Sequence, residues 1–423
     1  MTDDDRFKND FRRSDRDTFH TTRGEIITGP VTDWATDFSH LDPAWYADPN
    51  SITDDLRERC PIAHTERFGG GWLPTRYDDI AAIAHDTEHF SSRSVTAGNF
   101  RPPRELAPAG EAPPITSDPP FHHGRRKMLL PAFTRTAAAR LEPGTRAFCH
   151  SLIDGLAGRD VVDAAYEYAQ QIPSQVIGDL LGFPTEDRQQ FRELISNTNS
   201  NAKVSPEERK KQQGRLFVFL LSEINSHVEH PREDLTTYLL NAELDGQKLD
   251  ANHVMGAMGL LFTAGISTIF STIGASLWHL AGNQEDRARL AADPGLMPAA
   301  VEEFLRAYAP VTMARLVKED MHWRGVDMKA DDWVMLPFPA ANRDPAHFDR
   351  ADEVIIDREA NRHAAFGLGI HRCLGSHLAR MEVRVALEVW LERIPEFTLD
   401  DPAAVIWGGS QARGPQVLPI RIR

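Results

Sequence analysis

Hydrophobic positions recur along most of the chain with the three- and four-residue spacing of helices. Strand-like pieces are short and lie near "GGGWLP" and within "HWRGVDMKADDWVMLPF". Strands and helices do not alternate in the way that builds a parallel sheet. We therefore predict a mainly α protein with small β-sheets. The predicted helices span about 118–158, 162–182, 185–200, 205–229, 251–281, a segment closed by Pro310, and 373–393.

Two long segments do not fit either periodicity. The stretch 97–120 is rich in proline and glycine, so it cannot form regular structure. A loop of this length in a compact enzyme often serves as a lid over a site. The stretch 340–366 is a second, meandering loop, rich in Asp, Arg, Asn and Pro.

The predicted helix 251–281, which Asp250 is placed to cap, is long and apolar enough to cross a membrane. From 254 to 282 its one potentially charged residue is His279. Glycine, serine and threonine dilute it, and no basic cluster flanks it. A helix that is apolar all round is also typical of the centre of a large soluble protein. We favour this buried position.

Composition narrows the class of protein. The 423 residues carry a formal net charge of -15, which argues against general nucleic-acid binding. The cysteines Cys60, Cys149 and Cys373 form no CxxC pair, so a reducing cytoplasm fits the chain. Residues 1–29 lack an apolar leader segment and are predicted to be a mobile tail. Residues 30–423 are predicted to form one catalytic domain.

The candidate chemistry is centred on Cys373, within "FGLGIHRCLG" at 366–375. Glycine lets the backbone approach a ligand closely. A helix is predicted to begin here, and a helix N-terminus favours a thiolate. Such a thiolate suits a metal ligand or a nucleophile, and two nearby histidines keep the second possibility open. The residues involved are Gly367, Gly369, His371, Gly375 and His377.

The arrangement Phe-Gly-x-Gly-x-His-x-Cys-x-Gly resembles the haem-binding loop of the cytochrome P450 family. The resemblance implies the fold of that family and haem b as cofactor. It makes Cys373 the fifth ligand of the haem iron, where a thiolate favours O–O cleavage. It places Phe366 near the sulfur side of the macrocycle. It also implies that His371 reaches a haem propionate.

The segment "DPPFHHGRRKMLLPAF", 118–133, resembles the family's helix that passes over the propionates. His122 and Arg126 match its propionate-binding positions and share a helix face. Arg315 matches a third position. Two buried carboxylates need cationic or hydrogen-bonding partners, so these residues are predicted to hold the propionates.

Glu303 and Arg306 in "EEFLR" lie three residues apart on a predicted helix, so their side chains face together. The same spacing occurs at Glu229–Arg232, broken by a proline, and at Glu359–Arg362, in the meandering loop. In the family this pair is structural. The resemblance implies that it locks the meandering loop beneath the haem loop.

The segment "FTAGISTIF", 262–270, resembles the family's oxygen-activation segment. Small Ala264 and Gly265 would let the helix pass close over the haem and leave room for dioxygen. Thr268 would be the hydroxyl of oxygen activation, although a mid-helix threonine can also simply bond its own backbone. Ser267 stands where the family usually has Asp or Glu. A serine hydroxyl passes protons only along a water chain.

The chain has no dinucleotide fingerprint and no iron–sulfur cysteine spacing. Electrons are therefore predicted to come from a separate ferredoxin or flavodoxin with its NAD(P)H-dependent reductase, docking near Cys373. Candidate basic contacts are Arg125, Lys127, Arg372 and Arg380. The predicted pocket residues are Leu260, Leu261, Val311, Met313 and Trp407. They are apolar and favour a small-to-medium hydrophobic substrate, while Arg101 and Arg104 either bind a carboxylate or lie in a wet loop.

The predicted function is a cytoplasmic haem-thiolate monooxygenase that uses O2 to hydroxylate or oxidatively dealkylate its substrate. One alternative is a haem protein that uses peroxide, or that only senses or carries electrons. Another is a thiol hydrolase that uses Cys373 with a nearby histidine. The lid and the segment around Thr268 argue against a simple carrier, which needs neither.

Overall fold

The computed structural model describes residues 21–106, 112–184, 194, 206–409 and 411–422. It is mainly helical with small sheets, which confirms the predicted fold class. The predicted helix 185–200 lies outside the described residues apart from Leu194.

The helices of the described residues are numbered in chain order. They are α1 Pro43–Ala47, α2 Pro49–Arg59, α3 Tyr77–His85, α4 Phe121–Leu129, α5 Arg135–Asp154, α6 Gln171–Leu181, α7 Pro206–Glu229, α8 Leu235–Asn241, α9 Ala251–Gly282, α10 Gln284–Ala292, α11 Met297–Ala307, α12 Phe338–Ala341 and α13 Ser376–Arg393. A π-helical segment, Ala165–Ala169, precedes α6, and a 3₁₀ turn, Gly369–His371, lies in the loop before α13.

The strands are short. They are β1 Thr21–Thr22, β2 Ile62–Thr65, β3 Gly71–Pro74, β4 Phe90–Ser91, β5 Phe100–Arg101, β6 Val161–Asp163, β7 Glu243–Leu244, β8 Gln247–Lys248, β9 Thr312–Val317, β10 Met321–Trp323, β11 Val326–Met328, β12 Trp333–Pro337, β13 Phe397–Leu399, β14 Ile406–Gly408, β15 Gly414–Val417 and β16 Pro419–Ile422.

The largest sheet has the strand order β2-β3-β12-β9-β4. Its pairs are antiparallel except β3 with β12, where Trp333 lies opposite Gly71. A second sheet has the order β13-β16-β6, and the other strands form two-stranded pairs. The strand β12 is buried along its whole length, because helices and loops cover both of its faces.

The long helix α9 forms the centre of the helical part. Asp250 caps it as predicted, since its carboxylate accepts a hydrogen bond of 2.7 Å from the His253 amide. Among the described residues it is the one helix long and apolar enough to span a membrane. It packs against α6, α13 and β15. These contacts support its prediction as a core helix.

Several predicted boundaries differ from the structure. The segment 118–158 is two helices, α4 and α5, separated by a 3₁₀ turn at Leu130–Phe133 that contains a proline. The last helix begins at Ser376 rather than Cys373, and Gly375 is its N-cap residue. The Cys373 amide instead donates to the Phe366 carbonyl at 2.7 Å, so the preceding residues close a turn before the helix starts.

Of the predicted tail 1–29, residues 1–20 lie outside the described part. The described end of that segment contacts the rest of the chain. Strand β1 pairs with β5, and Arg23 forms an ion pair of 3.0 Å with the buried Asp332. Composition could not reveal this, because the attachment depends on backbone pairing and one distant carboxylate.

Candidate functional site

One face of α9 is accessible although the helix lies in the core. Thr263 and Ala264 are exposed, and Ser267 and Thr268 are half-buried. The intervening residues, such as Ile266, are buried. Accessible side chains with the spacing of one helix face, in the middle of a core helix, line an internal cavity. We call Leu260, Thr263, Ala264, Ser267 and Thr268 the accessible stripe.

The hydroxyls of the accessible stripe donate within their own helix. Thr268 Oγ1 donates to the Ala264 carbonyl at 2.9 Å, and Ser267 Oγ donates to the Thr263 carbonyl at 3.4 Å. This is the backbone-bonded arrangement common for mid-helix hydroxyls. The lone pairs of each oxygen remain available as acceptors, and a rotation of the hydroxyl turns it into a donor towards the cavity.

The two small residues of this segment play different parts. Ala264 is exposed on the accessible stripe. Gly265, however, faces the neighbouring helix α6, because a Cβ there would lie 2.5 Å from Ile177 Cδ1. Its small size therefore lets α9 and α6 pack closely. A role of Gly265 in making room beside the cofactor stays a prediction.

Cys373 is exposed, yet it lies deep enough in the protein that burial raises the pKa of its thiol. An atom that is both accessible and deep lines a cavity. The Gly375 amide donates to the thiol, and the Arg126 guanidinium lies near it; both lower its pKa against the effect of burial.

Glycine is required in the loop before Cys373. Gly367 and Gly369 have positive φ of 71° and 70°. At Gly369 a Cβ would also lie 2.2 Å from the Ala84 carbonyl oxygen at the end of α3. The glycines therefore fix a tight loop that carries Cys373 to the cavity.

Four basic side chains predicted to hold carboxylates gather beside Cys373. The rings of His122 and His371 are 4.5 Å apart. Burial lowers the pKa of His371 to about 2, and the positive charges of Arg315 and Arg126 lower it further. Burial likewise lowers the pKa of His122 to about 4 and that of Arg315 to about 10. These groups come from three distant parts of the chain.

These basic groups have few partners within the described residues. The buried Nε2 of His122 makes no hydrogen bond there. The Arg126 guanidinium forms no hydrogen bond or ion pair with a described residue, and the Arg315 guanidinium donates only to the neighbouring Ala314 carbonyl, at 2.8 Å. Two arginines and two neutral imidazoles with free hydrogen-bonding capacity call for anionic or hydrogen-bonding partners. The site therefore fits a ligand with two carboxylates beside the Cys373 sulfur, which is what haem b presents.

Glu303 and Arg306 are fully buried and form a bidentate pair, with both distances 2.8 Å. Both side chains also bind the loop 340–366. Arg306 donates to the carbonyls of Asn342, Ala351 and Glu353, and Glu303 accepts from the Ile355 amide, Arg358 and Asn361. The pair thus ties α11 to the segment that leads into the Cys373 loop.

Arg380 makes a second set of contacts under the same loop, with the Phe366 ring and the Glu302 carboxylate. The Arg380 guanidinium lies 4.4 Å from the Phe366 ring centre and makes two hydrogen bonds to Glu302, of 2.5 and 2.8 Å. Arg380 is therefore paired within the chain rather than free for a docking partner. Arg125 donates to Ser117 at 3.0 Å, while Lys127 and Arg372 are exposed.

The predicted pocket residues divide into two groups. Leu260, Val311 and Met313 are half-buried, and Met313 Sδ accepts from Gln411 Nε2 at 3.1 Å. Leu261 is instead buried in the main core. Trp407 contacts Trp278 edge to face, with ring centres 5.3 Å apart, and the Arg413 guanidinium lies over the Trp407 ring at 4.2 Å. These contacts hold its indole between two other side chains.

The two arginines of the predicted lid hold the loop in place. Arg101 is buried, and its guanidinium donates to five backbone carbonyls. They are those of Phe68, Gly69, Gly70, Gly98 and Asp331. Arg104 pairs with the Asp331 carboxylate at 2.7 Å. Neither prediction for Arg101 holds, because it neither lies in a wet loop nor has a donor left for a substrate carboxylate.

Comparison with known proteins shows which proteins this chain is similar to. The family model for cytochrome P450 matches residues 159–401. The mycinamicin IV hydroxylase/epoxidase of Micromonospora griseorubida is 34% identical over 86% of this chain and 94% of its own. The vitamin D(3) 25-hydroxylase of Pseudonocardia autotrophica is 35% identical over 84% of this chain and 88% of its own. The structure of the Bacillus subtilis bacillaene polyketide synthase cytochrome P450 PksS matches with a TM-score of 0.82 at 28% identity, over 91% of this chain and 99% of that one.

Proposed function

The chain belongs to the cytochrome P450 family, and from that premise we propose that it is a cytoplasmic monooxygenase fed with electrons by a separate protein. It is an enzyme of the haem monooxygenase class, with haem b as its cofactor. The observation that carries the proposal is the accessible Cys373 thiol, which lies beside four basic side chains with unfilled hydrogen-bonding capacity.

The chain's own residues divide the work of holding the cofactor. Cys373 would bind the iron through its sulfur. His122, Arg126, Arg315 and His371 would bind the two propionates, which relieves the cost of burying unpaired polar and charged groups. When bound, a thiolate-ligated haem supplies the activation of dioxygen with two electrons and two protons.

The accessible stripe would handle protons and water. Thr268 would hold a water molecule or donate a proton in the cavity when its hydroxyl turns away from the Ala264 carbonyl. Ser267 would extend this path by relaying protons along water, since it has no acidic group of its own. A chain that keeps Thr268 is suited to the dioxygen route rather than to peroxide.

The substrate would be a small-to-medium hydrophobic organic molecule. The half-buried Leu260, Val311 and Met313 offer apolar contacts near the stripe. The relatives named above are a hydroxylase/epoxidase and a hydroxylase of organic molecules, which supports hydroxylation. We propose hydroxylation or oxidative dealkylation for this chain.

Electrons would come from a ferredoxin or a flavodoxin and its NAD(P)H-dependent reductase. The partner would approach the surface nearest Cys373, where Arg372 and Lys127 are exposed. Both cations suit an acidic partner surface. Arg380 is left out of this surface because it is bound to Glu302.

The absorbance of the reduced, carbon monoxide-bound protein tests the proposal. A thiolate-ligated haem gives a Soret band shifted to the red of the band of a histidine-ligated haem. We expect the red-shifted band, together with substrate hydroxylation when reductase, ferredoxin or flavodoxin, and NAD(P)H are supplied. A colourless protein that takes up no haem, or a haem protein that turns over only with added peroxide, would contradict it.

A further inference from the structure

A second layer of polar contacts lies behind His371. The Ser92 hydroxyl is 2.9 Å from His371 Nε2, although the two residues are 279 positions apart. Ser92 follows strand β4 and is buried, with 2% of its surface exposed. Within the described residues, His371 Nδ1 has no hydrogen bond. One ring nitrogen is therefore held by the chain and the other is left for a ligand.

Asp118 fixes Ser92 in this position. Its carboxylate accepts the Ser92 amide at 2.8 Å and the Ser91 hydroxyl at 2.5 Å. The carboxylate is buried, and the Asp118 carbonyl accepts the His122 amide at 3.1 Å at the start of α4. Asp118 thus connects the serine behind His371 with the helix that carries His122.

We propose that Ser92 is a positioning residue that holds the His371 ring through Nε2, so that Nδ1–H points at a haem propionate. The inference rests on the proposed function, since it assumes that His371 binds a propionate. The physical reason is that a neutral imidazole has one donor and one acceptor nitrogen. A hydroxyl that donates to Nε2 leaves the hydrogen on Nδ1, which sets the tautomer and the ring orientation.

The hydroxyl of Ser92 is suited to this task. Its backbone amide is already bound to Asp118, so its position does not depend on the bond to His371. Its side-chain oxygen lies 2.9 Å from His371 Nε2, and no other hydrogen-bond acceptor for the hydroxyl is present among the described residues. Ser94, two residues later, is a matched comparison, because its hydroxyl reaches only the Thr96 carbonyl, at 3.5 Å, and is exposed.

The test compares S92A, H371A, the double variant S92A/H371A and the control S94A as haem-loaded proteins. One readout is the rate of haem transfer to excess apomyoglobin, and the other is the reduction potential. We expect S92A to lose haem about three- to tenfold faster, the factor that one net hydrogen bond represents. Its potential should fall, because the propionate loses a donor, and S94A should match the wild type in both.

The double variant separates positioning from general loosening. If Ser92 acts through His371, then S92A/H371A should behave like H371A alone. Additive losses of haem would mean that S92A merely destabilises the loop, which would overturn the inference. If S92A does not fold, S92C keeps the shape with a weaker donor, and we expect an intermediate rate.

The propionate contact of His371 and the positioning role of Ser92 are contradicted by different outcomes. Haem transfer that is unchanged in H371A would contradict the propionate contact of the proposed function. Faster transfer in H371A together with wild-type transfer and potential in S92A would overturn only the positioning role of Ser92.

Discussion

The two sides of the cavity are built in opposite ways. On the side of Cys373, distant residues hold a loop through the fully buried ion pair Glu303–Arg306, backbone hydrogen bonds and glycines with positive φ. On the side of α9, each hydroxyl of the accessible stripe bonds only to the carbonyl four residues earlier. The Cys373 loop therefore depends on contacts with distant parts of the chain. The hydroxyls of the accessible stripe depend only on the backbone of their own helix.

This difference predicts how each side responds to substitution. A change beneath the loop should affect folding and cofactor binding together, because the buried pair Glu303–Arg306 supports the segment that leads to the thiol. A change on the stripe should alter the reaction and leave cofactor binding intact. Four substitutions test this contrast.

The largest effect is expected at the thiol itself. Cys373→Ser should abolish the red-shifted carbon monoxide band and the monooxygenase activity, because an alcohol is a far weaker iron ligand than a thiolate. The fold should persist, since the thiol is accessible rather than packed in a core. Absorbance and circular dichroism check the two parts. Cys60→Ser is the matched control and should keep the band; its loss there would mean that the assigned ligand is wrong.

The next effect concerns the support of the loop. Glu303→Ala would leave the buried Arg306 without its carboxylate, and removing one partner of a buried pair costs about 3–5 kcal/mol. We expect a lower free energy of unfolding in urea and a lower haem content after purification. Glu359→Ala changes an exposed residue with the same ExxR spacing and should leave both unchanged. If Glu303→Ala and Glu359→Ala have the same free energy of unfolding, the buried pair does not support the Cys373 loop, and the contrast with the accessible stripe is wrong.

A similar division separates the features that could be predicted from the sequence from those that could not. The Cys373 loop, the Glu303–Arg306 pair and the cap at Asp250 could be predicted because each is a local pattern with a fixed spacing. Gly265 could not be assigned, because its role depends on Ile177 of another helix. The role of Arg101 could not be predicted either, because its acceptors include backbone carbonyls far along the chain. The contact of Ser92 with His371 could not be predicted from the sequence, because only the fold brings the two residues together.

On the stripe, Thr268→Ala should leave haem content and stability unchanged but divert electrons to hydrogen peroxide. A positioned proton donor is worth roughly 10²–10⁴ in rate, so we expect product per NAD(P)H to fall by about tenfold or more. Product and peroxide are measured against NAD(P)H consumed. Ser276→Ala removes a hydroxyl from the same helix that bonds only the Thr272 carbonyl, and it should stay coupled. Equal product per NAD(P)H in wild type and T268A would contradict the role of Thr268.

The smallest effect is expected at Ser267. Ser267→Asp places a titratable group beside Thr268, where the wild type has a hydroxyl 3.4 Å from the Thr263 carbonyl. A carboxylate can take a proton from solvent and pass it on, so the solvent isotope effect on turnover should change and the rate should shift by a few-fold. Ser267→Asn is the control, since it has nearly the same size but cannot titrate. If D2O slows the wild type, S267D and S267N equally, protons reach the cavity by a path that avoids this residue. The accessible stripe would then contribute Thr268 alone.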